Sequence, residues 1–475
     1  MTADLVIKNG LVCTECGTIR GGLAVKDGII VSIGADVSLP EGTDVYDAKG
    51  NFIFPGIIEP HCHFGVNREY FDRDIYTETR TAAQGGITTV CSTTSQSGLS
   101  MKKRLEEAKK PLTQAFTDVR YHISPFTDEN LEEIPGMLEE GVTSFKFLLA
   151  YRGEGARVLD IDERGIDSTY IYRGFEQIAK AGKPALAMLH CEDPEIFEYT
   201  EKKVQAEGIP PYQNYIDAMN RSRPAIAEAV DLCKAALIAK ELQVPIYMVH
   251  VSAKESVDLI QYFKQKGCEI VAETCPHYLL FAAEDRICIE NEEWTRFAKV
   301  NPPIRNRADR ERLWQGLREG TITTIGTDHT HYDLNMKKDG SFWEIPPGTG
   351  DGMSASLSIM LTEGVNKGRI SMETLRKVMS ENIAKAMGMY PQKGVLAVGS
   401  DADVTIIDLN KEWTFTNKCC ETAHRYSLYE GMKMKGAPVA TFVRGSLVAE
   451  NFQIVSDTPT GRFVDSHIPW RPEIK

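Results

Sequence analysis

The sequence predicts an α/β protein: a (β/α)8 TIM-like barrel with a small β-sandwich domain built from both chain ends. Three observations predict it. Between Phe52 and Ile325 eight short apolar runs alternate with helix-like stretches, the pattern of a parallel sheet, and a count of eight favours closure into a barrel. The first fifty residues and the chain after Gly388 carry instead short strand-like runs with tight-turn signals. Histidine, lysine and aspartate recur at or beside the ends of the barrel runs, where barrel enzymes keep their chemistry.

The elements follow in order. Leu5–Ile7 precedes Asn9-Gly10, and Leu23–Val25 is joined to Ile29–Val31 across Asp27-Gly28; both dipeptides favour the tight turns that match strand twist. Residues 1–51 therefore form the N-terminal part of the sandwich. The candidate barrel strands are Phe52–Ile58, Ile87–Ser92, Val119–Ile123, Ser144–Leu148, Ala185–Leu189, Ile246–Val249, Ile270–Glu273 and Ile322–Ile325. Met101–Ala115, Ala225–Leu242, Ser256–Lys266 and Arg307–Arg318 read as the helices between them, and Met372–Met387 as core-packing helix. The barrel is assigned to residues 52–388. Asp403–Asp408, Thr441–Val443 and Leu447–Val448 are strands of residues 389–475, which complete the sandwich and end in an irregular tail suited to packing on a neighbouring subunit.

A chain of 475 residues exceeds the usual single domain, and 42% hydrophobic with 25% charged residues is ordinary globular composition. A formal charge of −13 argues against nucleic acid or an anionic membrane as partner. No apolar run approaches the roughly 20 residues that span a bilayer, and Met1–Leu5 lacks the regions of a signal peptide. Eleven scattered cysteines fit reduced thiols in a cytoplasm, and neither Cys13-x-x-Cys16 nor Cys419-Cys420 has the second pair a metal site needs. The expected partner is a small molecule.

In an extended chain, side chains at i and i+2 share a face, so His61 and His63 can hold one ion between them at the end of strand one. His190 follows strand five, His250 strand six and Asp328 strand eight, so four of the ten histidines fall at ligand-bearing strand ends. Lys146 lies inside strand four, where an unpaired ammonium is costly. Either it pairs with Asp328 or Glu192, or its amine carries a carboxylate made from carbon dioxide, an oxygen donor able to bridge two divalent ions.

With the closing run Lys393–Asp403, these residues resemble the amidohydrolase superfamily, in its cyclic-amidase branch of dihydropyrimidinases, hydantoinases and allantoinases. The resemblance covers nearly the whole chain, and Glu273–Tyr278 and Val300–Arg305 are most similar to allantoinases and hydantoinases. It implies two divalent metal ions, zinc above others: His61, His63 and Asp328 on one, His190 and His250 on the second, and Lys146, as N6-carboxylysine, bridging both. It also implies a hydrolase of carbon–nitrogen bonds in cyclic amides, in which a metal-bridging hydroxide attacks the ring carbonyl. Tyr151 then supports the carbonyl as negative charge develops, and Asp328 carries the proton to the leaving nitrogen. A homotetramer or homodimer is implied as well.

The substrate groups depart from the pattern. Dihydroorotases carry an arginine where this chain has Gly65, and hydantoinases a serine and an asparagine where it has Asn301 and Pro347. Asn301 can still read an amide edge, whereas Pro347 offers neither side-chain amide nor backbone N–H. Arg68, Arg73 and Arg152 are available for an anionic substituent, or are loop charges. His277 and His122 lie near the mouth on this reading, His329 and His331 follow a ligand, and His424 and His467 are expected at the surface. A non-catalytic scaffold related to dihydropyrimidinases would have lost metal ligands; here all the ligand positions are filled.

Overall fold

The computed structural model describes residues 2–465 apart from 67, 95–97, 154–155, 157–162, 164, 208–214, 351 and 424–425. Five strands open the chain: β1 (Ala3–Thr14), β2 (Gly17–Lys26), β3 (Ile29–Gly34), β4 (Gly42–Asp47) and β5 (Phe52–Pro55). The barrel strands follow: β6 (Ile57–His63), β7 (Ile87–Thr94), β8 (Asp118–Ile123), β9 (Ser144–Leu148), β10 (Leu186–His190), β11 (Ile246–Met248), β12 (Ile270–Thr274), β13 (Thr324–Ile325) and β14 (His329–Thr330). β15 (Val404–Thr414), β16 (Lys433–Val443), β17 (Ser446–Glu450) and β18 (Gln453–Ile454) close it. The strands from both ends pair in the order β18-β17-β16-β15-β5-β1-β2-β3, with β4 beside β1, and share one apolar core that includes Ile7, Val12, Leu23, Ile53, Val404 and Phe442.

Two local readings change. Phe52–Ile58 is not one strand: Phe52–Pro55 pairs with β1 and β15 in the terminal sheet, Gly56 donates its N–H to Asp403 O (2.8 Å), and the first barrel strand starts at Ile57. An unbroken apolar run signals burial on both faces but not which sheet each half joins. Asn9-Gly10 is a bulge rather than a hairpin turn. β1 runs on through it, with Asn9 at φ 56° and the register with β2 shifting between Ile7 and Gly10. Asp27-Gly28, at φ 51° and 77°, is the two-residue turn expected.

β6 to β13 lie in sequence order in a parallel sheet, and the eighth strand is broken where the sheet closes. Only Thr324–Ile325 of the predicted Ile322–Ile325 pairs with β12; the chain then kinks at 326–328, and His329–Thr330 pairs with Cys62–His63 of β6. Gly326 N–H donates to Thr274 O (3.2 Å) and Asp328 N–H to His61 O (3.0 Å), so the kink itself bonds to both neighbours. Ala225–Leu242 is a helix, and Met372–Met387 is one helical run with a π turn at Lys377–Glu381. Among the described residues no helix is long and apolar enough to cross a membrane.

The described part of the tail packs on its own barrel. Val119 N–H donates to Arg462 O and Val464 N–H to Val119 O (both 2.9 Å), and Val464 is buried against Ile58, Leu186, Met188 and Tyr247. The closing run Lys393–Asp403 joins the two sheets. Lys393, 1% exposed, donates to Asp403 (2.6 Å), Asp118 at the start of β8 (2.8 Å) and Asp401 (3.0 Å). Its ammonium occupies the middle of a carboxylate trio that would otherwise resemble a metal site. Lys393→Met is expected to destabilise the fold by about 3–5 kcal/mol, because it strands the buried Asp403 carboxylate without its cation and leaves Asp118 and Asp401 to Arg444 and Arg462. Denaturant unfolding checks this; a loss under about 1 kcal/mol would show the clamp to be dispensable.

Candidate metal centre

The pleat of β6 points His61 and His63 to one face, as the i, i+2 spacing requires, but both lie within the strand rather than beyond it. His61 Nε2 and His63 Nε2 stand 3.2 Å apart, and Asp328 Oδ1 lies 3.3 and 3.1 Å from them. A tetrahedral ion with ligands at about 2.0–2.1 Å separates its donor atoms by about 3.3 Å. These atoms therefore already stand at ligand spacing. Lys146 Nζ, from β9, is 2.9 Å from His61 Nε2. On the other side His190 Nδ1, at the end of β10, is 3.0 Å from His250 Nε2, just after β11. The His61 and His250 rings are 5.6 Å apart, which joins the two groups into one site.

The backbone is bent to make this fit. His250 (φ 38°) and Asp328 (φ 50°) are non-glycine residues in the left-handed region, a strained conformation that clusters at functional sites. Residue 326 at the start of the kink is a glycine, where a Cβ would run into the Glu273 carboxylate.

Buried carboxylates set the direction of the imidazoles. His61 Nδ1 lies 3.0 Å from Glu273 Oε1, and His190 Nε2 lies 3.1 Å from Glu192 Oε2. A carboxylate accepts the ring N–H, so the lone pairs of His61 Nε2 and His190 Nδ1 face the site. Burial pushes His61 and His250 well below the usual histidine range and lowers His190, which keeps the rings neutral as ligation requires. Glu273 also accepts from His250 N–H (3.1 Å) and Tyr247 O–H (2.8 Å), and Glu192 is held by Arg223 (2.6 Å). Glu59 Oε1 accepts the N–H groups of His61 (2.9 Å) and Thr327 (3.0 Å), tying β6 to the kink. Burial pushes Glu59 up to about 8 and Glu273 up to about 7. The sequence reading did not assign these acids a role. Their signal was the same as that of Lys146, a charged residue inside an apolar strand. Glu273→Gln is expected to weaken metal binding by about 10–100-fold, measured by competition with a chelator; unchanged affinity would remove Glu273 from the site.

Lys146 is fully buried, and burial pushes its ammonium down to about 8. Its expected carboxylate partners are engaged elsewhere, Asp328 with two histidines and Glu192 with His190 and Arg223. Among the described residues no carboxylate lies within ion-pair distance of it, so the ammonium pairing is not what the structure contains.

A cavity of about 1110 Å³ opens above these groups, lined by His63, Lys146, Tyr151, His190, Asn301 and Asp328. Tyr151 packs its ring 5.3 Å from that of His190, and burial pushes its phenol up to about 12, so it remains an O–H donor. The neighbouring Asn301 side chain works against that rise. Pro347 lines the cavity, and the adjacent Gly348 N–H is taken by Lys299 O (2.8 Å). Gly65 sits at φ 65° with the Phe71 ring where a Cβ would go, so no arginine fits at that position.

The remaining histidines stand apart. His122 bridges Ser144 Oγ (2.6 Å) and Pro60 O (2.8 Å) and ties three strands together. His331 contacts Asp74 (2.8 Å) and His329 contacts Glu78 (3.0 Å), clasping the helix Phe71–Gln84 to strand eight. His277 is buried against Tyr278 outside the cavity lining. Arg152 lines the cavity but is held by Glu198 (2.8 Å), and Arg73 lies over the Tyr70 ring beside His331. The Arg68 side chain, His424 and His467 fall outside the described residues. The cysteines are free thiols.

The amidohydrolase family model matches residues 52–448. The chain is 34% identical to the D-hydantoinase of Ralstonia pickettii over 97% of its own length and 98% of the relative's. It is 29% identical to an allantoinase of Escherichia coli over 98% and 100%. A solved structure of the L-hydantoinase (dihydropyrimidinase) from Arthrobacter aurescens superposes with a TM-score of 0.88 at 31% identity, covering 98% and 100% of the two chains.

Proposed function

Because the chain belongs to the amidohydrolase family, we propose that it is a hydrolase that opens the ring of a cyclic amide or ureide, in the manner of hydantoinases and dihydropyrimidinases. One observation carries this reading: four imidazoles, Asp328 and Lys146 converge at ligand spacing beneath a single cavity, which His63, Lys146, His190 and Asp328 line. The donor set fits two divalent ions, with His61, His63 and Asp328 on one, His190 and His250 on the other and Lys146 between them. Imidazole and carboxylate donors suit zinc. Such ions supply Lewis acidity, acidifying water and polarising a carbonyl.

The chain's own groups do the rest. An amine titrating near 8 is partly neutral at physiological pH and can add to carbon dioxide: the N–C bond forms, a proton leaves, and N6-carboxylysine results at Lys146. Asp328 takes the proton of the attacking water and gives it to the departing ring nitrogen. Tyr151 donates its O–H to the carbonyl oxygen as negative charge develops, and Asn301, on the same cavity lining, offers its amide to the ring edge. The product is an open-chain amide acid. An allantoin-type ureide remains the second reading, favoured by the Glu273–Tyr278 segment and the 29% identical allantoinase. A non-catalytic scaffold is disfavoured by the filled ligand set.

The helix Ala225–Leu242 leaves Ile226, Val230 and Leu237 exposed along one stripe, which supports a homodimer or homotetramer, a mass that light scattering measures. Free thiols support a cytoplasmic setting. The deciding experiment is elemental analysis of the purified protein with a panel of hydantoin, dihydrouracil, allantoin, dihydroorotate and a cyclic imide. About two metals per chain and turnover of one ring are expected. Absence of metal would revive the scaffold.

A further inference from the structure

A pair of buried lysines outside the metal centre, with the half-buried Arg296 beside them, has no role in the reaction above. Lys299, 7% exposed, donates to the carbonyls of Phe342 (2.8 Å), Trp343 (2.9 Å) and Ile345 (2.7 Å). Lys337, 0% exposed, donates to those of Gly348 (2.7 Å), Pro346 (3.0 Å) and Lys299 (3.3 Å). Arg296 adds bonds to the carbonyls of Lys337, Lys338 and Gly340. Among the described residues none of the three cations has a carboxylate within ion-pair distance. An ammonium has three N–H donors, and each lysine spends all three on backbone oxygen. Burial and the neighbouring charges of Lys299 and Arg296 push the Lys337 ammonium well below its ordinary value, a cost the carbonyl cage works against.

What the cations hold is one wall of the cavity. Trp343, Ile345, Pro346, Pro347 and Gly348 all line the same space as Tyr151 and Asp328. Apart from Glu344, whose carboxylate accepts from Ser341 (2.8 Å), the side chains of the wall are apolar, and Phe342 behind it stacks on Tyr215 at 4.1 Å. A space of about 1110 Å³ is far larger than a bare five- or six-membered ring, so most of it is available to whatever the ring carries. Lys299 also lines the cavity, yet has no donor left to offer a ligand.

We propose that Lys299 and Lys337 are positioning residues that freeze segment 342–348 as the specificity wall, and that this wall selects rings bearing a large, uncharged, apolar substituent. This rests on the ring-opening reading. The test compares kcat/KM for hydantoin and for a benzyl-substituted hydantoin in the wild type, Lys337→Met, Lys337→Arg and Trp343→Ala. The preference for the benzyl ring should fall about tenfold in Lys337→Met and in Trp343→Ala, the scale on which an apolar pocket discriminates. Lys337→Arg, which keeps donors for the carbonyls, should recover part of it. In parallel, amide hydrogen exchange in Lys337→Met should rise at 341–349 and leave the barrel strands unchanged, a readout independent of turnover. An equal loss for both rings, or an unchanged preference in both Lys337→Met and Trp343→Ala, would overturn the specificity role. Unaltered exchange at 341–349 would overturn the clamp. A wild type that opens neither hydantoin would overturn the substituent selection, one that opens no ring of the panel would overturn the ring-opening reading as well, and the exchange result would still decide the clamp.

Discussion

Lys146→Ala is expected to lose both bound metal and turnover, with kcat falling at least about 10³-fold, equivalent to about 4 kcal/mol in the barrier. Lys146 is fully buried in β9, and the atom nearest its amine in the site is a histidine nitrogen at 2.9 Å rather than a carboxylate. A lysine in that position is costly to the fold unless the amine is put to use. If it carries the carboxylate that joins the two ligand groups, alanine removes an oxygen donor from both, and elemental analysis should find fewer than two ions per chain. Reconstitution of metal-free wild type should also depend on bicarbonate, and the alanine variant should show no such dependence. Full turnover in Lys146→Ala would rule out the bridging role.

Asp328→Asn tests the proton carrier. The substitution preserves size and shape in a strained kink, so the fold should survive, while the carboxylate that faces both His61 Nε2 and His63 Nε2 becomes a neutral amide. Although burial pushes the Asp328 carboxyl up, His61 and His63 hold it well below the usual carboxylate range, so it is ionised and ready to accept a proton at neutral pH. A loss of about 10²–10⁴-fold in kcat is expected, the range for a general acid–base group. KM should change far less, because the wall and Asn301 are untouched. Metal content measured alongside separates the two roles: loss of kcat with metal retained identifies the base, and loss of both identifies a ligand. Retention of more than about a tenth of kcat with metal bound would sink the proton-carrier assignment.

The ligand residues were legible because their signal is local. His61-Cys62-His63 needs only the two-residue period of a strand, and His190, His250 and Asp328 only the end of an apolar run. The Asp27-Gly28 turn is local in the same sense. Asn9-Gly10 shows the limit: the same turn chemistry becomes a bulge when β2 continues to pair on its far side. Glu273 and Glu59 carried the Lys146 signal, yet their partners lie 212 and 2 residues away along the chain, and nothing in a run of sequence says which of those separations closes in space.

By itself the sequence determined the element types, the two-sheet division of the chain and which side chains are candidate metal ligands, since these follow from periodicity and residue chemistry. Only the tertiary structure decided that Phe52–Pro55 joins the terminal sheet and that the eighth strand breaks at 326–328 to close the barrel. It also decided that the described part of the tail packs on its own barrel and that Lys299 and Lys337 hold a cavity wall by its carbonyls. The physical reason is common to all four. Backbone groups are alike in every residue, so which carbonyl meets which donor is settled by the packing of distant segments and leaves no mark in the local sequence.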